Sequence, residues 1–133
     1  MNYVSALNQY KSVGLQTGIV DATPHHLIAK LLEGALDRLA AAKGAINRNE
    51  IARKGELLSS VIAIVDGMRA SLDYQRGGEI AANLGSLYDY IERRLVEAGV
   101  SSDPAVLDEV SALLKEVKAG WESVPAEARS MQS

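Results

Sequence analysis

His25 and His26 are the only imidazoles in 133 residues, and the chain contains no cysteine. Imidazole and thiolate are the commonest metal ligands and activated nucleophiles, so side-chain chemistry here would rest on this pair and on carboxylates. Neighbouring helical positions point about 100° apart, so the two rings do not readily close on one ion. Di-iron bundles need Glu-x-x-His motifs on inward faces. Here both histidines precede Glu33, the first glutamate, so no such motif occurs. The pair reads as first-turn polar residues in solvent. Nothing local marks a serine as a nucleophile, and Gly77-Gly78-Glu79 lacks the spacing and the preceding strand of a phosphate loop. The residues argue against an enzyme, and no metal or cofactor is expected.

The composition narrows the remaining classes. A length of 133 residues makes about one domain, and a hydrophobic fraction of 47% with 23% charged residues is globular rather than disordered. A net charge of −3 argues against nucleic-acid binding by phosphate neutralisation. Cysteine absence excludes a disulfide scaffold and fits a reducing compartment. Met1-Asn2-Tyr3-Val4-Ser5 lacks the order of a signal peptide, and the uncharged run from Leu57 to Val65 is far short of the roughly 20 residues of a membrane span. A small cytoplasmic domain without membrane insertion is the expectation.

The positioning elements are helices. Residues 1–22 read as an N-terminal arm, with Tyr3, Leu7 and Tyr10 on one side of a segment too short to be stable alone. Thr23-Pro24 starts a helix by cap and proline, and Ile28, Leu31, Leu32, Ala35, Leu39, Ala42 and Ile46 give it a stripe. Asn47-Arg48-Asn49 reads as a turn, with Asn49 capping a second helix that carries Ile51, Leu58, Val61, Ile62, Val65, Met68 and Leu72. Gly77-Gly78 breaks that helix. A third follows with Ile80, Leu84, Leu87, Tyr88, Ile91, Leu95 and Ala98, and Gly99 sits where a left-handed C-terminal residue belongs. Asp103-Pro104 opens a fourth through Leu107, Val110, Leu114, Val117 and Trp121. The reading is all-α, an antiparallel four-helix bundle over 23–124 with a short N-terminal arm or cap helix and a flexible tail at 125–133.

Two features point to binding. Gly34, Gly44, Gly55, Gly67, Gly85 and Gly120 fall inside helical patterns, where each costs about 1 kcal/mol against alanine. They serve close helix packing or leave shallow grooves for a partner helix, with fraying near the ends as the reading for Gly55 and Gly120. The second helix also carries two adjacent apolar stripes. Together they span an arc of about 160°, against the ~100° a surface helix needs. Such a helix is either wedged between neighbours or presents a surface to a partner or to the arm.

The run from Leu72 to Tyr90, LDYQRGGEIAANLGSLYDY, completed by Arg94-Leu95, resembles the signature of the FliS family of flagellar export chaperones. Thr23-Pro24-His25-His26-Leu27-Ile28 with Leu31 and Gly34-Ala35, the arm's Tyr10 and the late Trp121 extend the resemblance over nearly the whole chain. Leu32-Glu33 and Ala98-Gly99 depart from residues common in the family, and phenylalanine is absent.

The resemblance implies a cytoplasmic chaperone that binds the disordered C-terminal segment of flagellin, prevents premature polymerisation and keeps the subunit competent for type III secretion. It also implies an N-terminal arm that covers part of an apolar groove and moves aside. On helices two to four, Leu57, Val61, Ile64, Met68, Leu87, Ile91 and Leu113 are the candidates for client contact, each with the spacing of a core residue as well. Tyr10, Val13 and Leu15 are the candidates for the competing arm. Contacts with the export gate or with regulatory flagellar proteins are further family-level implications. The alternative is a structural or adaptor bundle acting by homodimerisation or on another helical client.

Overall fold

The computed structural model describes residues 24–123. They form four helices: α1 Pro24–Asn47, α2 Ile51–Ala70, α3 Tyr74–Ser101 and α4 Pro104–Glu122. The arm, Thr23 and the tail lie outside the described residues. Connections of two or three residues force each helix to run back against its predecessor. Cross-helix pairs fix the directions. Lys43, late in α1, meets Asp108, early in α4 (2.8 Å), and Lys54, early in α2, meets Gly99 and Ser102, late in α3. The helices close a ring in which α1 packs on α2 and α4, and α3 packs on the same two.

The predicted stripes meet in the middle. Leu31, Leu32, Leu39, Val61, Val65, Met68, Tyr88, Ile91, Leu95, Leu107 and Leu114 are all completely or almost completely buried. The two stripes of α2 have a packing explanation. From Leu57 to Ala70 only Ser59 is exposed, because the helix is wedged between α1 and α3. Two stripe residues depart from expectation. Ile51, in the first turn of α2, and Ile80, just past a kink in α3, are exposed.

The junctions differ from the sequence reading in informative ways. Asn49 does not cap α2. It takes the left-handed conformation (φ 57°) that ends α1, while the Glu50 N–H donates to the Ala45 carbonyl (2.9 Å) and the Asn49 N–H to Ile46 (3.1 Å). This is a Schellman closure with asparagine in the place glycine usually holds. Next, α2 ends at Ala70 rather than at Gly77-Gly78, and Leu72 lies outside it. Asp73 then caps α3 by accepting from the Gln75 and Arg76 N–H groups (3.1 Å each). The glycine break is real but falls inside α3, as a kink at Gly78 (φ 51°, ψ −123°). That conformation is open essentially to glycine alone. Gly99 is helical, and Ser102 takes the left-handed exit (φ 54°) one turn later. Asp103-Pro104 behaves as read, with the Asp103 carboxylate accepting from the Ala105 N–H (2.9 Å).

Candidate functional site

The bundle presents its apolar side chains mainly along seams between neighbouring helices. On α3 and α4 the register is set by one carboxylate: Glu109 accepts from the Tyr90 hydroxyl (3.0 Å) and from Arg94 Nε (2.8 Å), while Arg94 also pairs with Glu97. With the helices antiparallel, this register puts Leu87 level with Leu113 and Leu84 level with Val117. All four are half-buried and rest on the core cluster. The hydrogen bond from Arg94, and then that from Tyr90, holds the Glu109 carboxyl below its ordinary range.

The seven sequence candidates do not share one surface. Leu87 and Leu113 lie on the α3–α4 seam. Val61, Ile64, Met68 and Ile91 are core residues, because the antiparallel ring turns their stripes inward. Leu57 is buried too, and forms part of the floor of a groove between α1 and α2. That groove, about 390 Å³, is also lined by Asp37, Arg38, Ala41, Arg53, Glu56 and Ser60. Its charges are two of each sign, and no nucleophile–base pair stands in it. The arm candidates Tyr10, Val13 and Leu15 lie outside the described residues. Leu84 and Val117 appeared in the stripes, but spacing alone could not separate a half-buried seam position from a core one.

A second seam, between α2 and α3, is ionic. Arg69 reaches Asp66 (2.7 Å), Glu92 (3.2 Å) and Asp89 (3.7 Å), and Asp89 also pairs with Arg93. Burial pushes the Glu92 carboxyl up, and the neighbouring Arg69 charge works against that rise. Among the described residues no group of three acidic or histidine side chains could hold a metal ion.

The histidines separate in role. His26 is exposed, as read from sequence, but His25 is half-buried and stacks on Trp121 with ring centroids 4.6 Å apart. Trp121 Nε1 donates to the His25 carbonyl (2.9 Å), so the end of α4 is anchored to the start of α1. The interior glycines separate as well. A Cβ at Gly85 would fall 2.6 Å from the Tyr74 hydroxyl and 3.5 Å from Leu72 Cδ1. The kink at Gly78 thus lets the first turn of α3 fold back over its own body. A Cβ at Gly55 or Gly120 would meet nothing within 4 Å.

No helix among the described residues is long and apolar enough to cross a membrane. The family model described as Flagellar protein FliS matches residues 6–128. The chain is 49% identical over 124 residues to a protein of Pseudomonas aeruginosa named flagellar secretion chaperone FliSB, covering 93% of this chain and 98% of that one. It is 37% identical to the flagellar secretion chaperone FliS of Salmonella typhimurium, over 100% of this chain and 99% of that one. A Vibrio cholerae protein of the same name is 33% identical over 95% of this chain and 93% of its own length.

Proposed function

The chain belongs to the FliS family of flagellar secretion chaperones, and on that premise we propose that it is the cytoplasmic chaperone of flagellin. Its client is the disordered C-terminal segment of flagellin. The chaperone holds that segment as an amphipathic helix, prevents premature polymerisation and keeps the subunit competent for type III secretion. The observation that supports this reading is the α3–α4 seam, where Leu87 with Leu113 and Leu84 with Val117 are half-buried at two successive levels of the bundle.

The mechanism needs no reaction. Apolar area leaving water drives docking at roughly 25 cal/mol per Å², and the client's ordering cost of about 2–5 kcal/mol keeps a large interface releasable. Leu87 and Leu113 are the contacts a client reaches without displacing a helix. The buried Leu57, Val61, Ile64, Met68 and Ile91 serve as the rigid backing of the surface. Tyr10, Val13 and Leu15 of the arm compete with the client for the groove. Export-gate and regulatory flagellar proteins are the further partners.

Substitutions on the seam and in the arm test this. Leu87→Ala with Leu113→Ala should weaken binding of a flagellin C-terminal peptide about tenfold or more in a chain whose circular dichroism shows it still folded. Tyr10→Ala with Leu15→Ala should strengthen it by removing the competitor. Unchanged affinity in both double variants would contradict the seam and the competition together.

A further inference from the structure

Lys54 is a charge in an unusual place. Its side chain sits in the first turns of α2 with only 6% of its surface exposed, yet no carboxylate among the described residues pairs with it. Nζ donates to the Ser102 hydroxyl (2.7 Å) and to the Gly99 carbonyl (3.0 Å), both neutral. An ammonium has three protons to donate, and no described residue accepts the third. The C-terminus of α3 offsets about half an elementary charge. The remainder is a buried positive charge, which an anion would compensate.

There is room for one beside it. A cavity of about 180 Å³ is lined by Lys54 and Ser102 together with Ala45, Ile46, Ile51, Asn49 and Glu50. It opens at the start of α2, whose N-cap residue Glu50 makes no side-chain capping bond. The Glu50 carboxylate is turned to Arg48 Nε (2.8 Å) instead. The N–H groups of Ile51, Ala52 and Arg53 therefore remain without a side-chain cap, at the positive end of the helix dipole. Ile51 on the cavity wall (75% exposed) offers apolar surface, and Val100 (86% exposed) follows Gly99 in the chain.

We propose that this cavity is a carboxylate site that takes the terminal carboxylate of a bound polypeptide, with Lys54 as its cation and Ile51 and Val100 seating the residues before the terminus. The assignment to a chain terminus rests on the chaperone reading above; the carboxylate site does not.

The test uses the full ¹⁵N-labelled chain and N-acetylalanine, with N-acetylalaninamide as the uncharged control. Saturable amide shifts at Ile51, Ala52, Arg53 and Ser102 are expected from the acid and not from the amide, and Lys54→Met should abolish them. Equal responses to acid and amide, or none to either, overturn the site whether or not the variant folds. N-acetylglutamic acid α-amide, which carries only a side-chain carboxylate, should shift these amides less; an equal response overturns the terminal assignment. A flagellin C-terminal peptide should then bind about tenfold more tightly with its natural carboxylate than amidated. Equal binding of the two peptides overturns the inference and leaves the chaperone reading standing. Binding of neither removes flagellin as the client, and the acid–amide comparison alone then decides the site.

Discussion

Gly55 and Gly85 stand in similar helix interiors and should respond unequally to a methyl group. A Cβ at Gly55 meets open space, so Gly55→Ala removes backbone freedom from the unfolded chain and should raise stability by about 0.4–1 kcal/mol. A Cβ at Gly85 falls 2.6 Å from the Tyr74 hydroxyl, the far end of a side chain that is 53% exposed and must swing aside, so Gly85→Ala should gain less than Gly55→Ala. Urea unfolding midpoints read both, and equal gains would show that Tyr74 does not need the glycine. At this scale the sequence was half legible. Six interior glycines stood out by their cost, but that Gly85 carries Tyr74 as a neighbour depended on the fold-back at Gly78, which no periodicity reveals. Lys54 left no mark at all, since a lysine in a polar first turn looks like any solvated charge.

The elements are joined by a few devices whose failure has a computable sign. Gly78 holds a backbone conformation that costs another residue about 1–3 kcal/mol, so Gly78→Ala should destabilise the chain by that amount, and a neutral result would mean the kink is not fixed. Between α3 and α4, Glu109 has its pKa lowered by Arg94 and then by Tyr90. A lowered carboxylate contributes stability above its unfolded pKa and loses it as pH falls through the folded one. Glu109→Gln should therefore lower the thermal midpoint at neutral pH, with the deficit vanishing in acid. Glu92, raised mainly by burial, runs the other way, its ionisation opposing folding as pH rises. Glu92→Gln should gain on the parent with rising pH. Thermal scans from pH 3 to 8 at low salt decide both, and parallel pH profiles for the two variants would contradict the assignment. The helices themselves were legible because their stripes recur at helical spacing and because Asp103-Pro104 is a strong start signal. The junctions were not. Asn49 and Asp73 suit either a cap or a turn, and tertiary packing decided between them.

At the scale of the whole molecule, the sequence carried the class and the structure carried the surface. Four stripes and short connections required a bundle, and the run from Leu72 to Tyr90 tied it to a family. The same run proves architectural as far as Gly85: Asp73 caps, Gly78 kinks and Gly85 receives Tyr74. Which stripe residues stay near the surface could not be read in advance, because Val61, Met68 and Leu87 share a spacing and differ only in which way the closed ring turns them. The wide arc of α2 reflects the same ring, being a helix wedged between two neighbours. On the reading proposed above, the partner lies along the half-buried seam of α3 and α4.

Isothermal titration of the full chain with the C-terminal segment of flagellin tests that claim most directly. One-to-one binding with a negative heat-capacity change and a gain in helical circular dichroism is the predicted result, the signature of apolar burial coupled to folding. No heat at several temperatures, from a chain whose dichroism shows it folded, would contradict flagellin capture and return the seam to an adaptor role with another helical client.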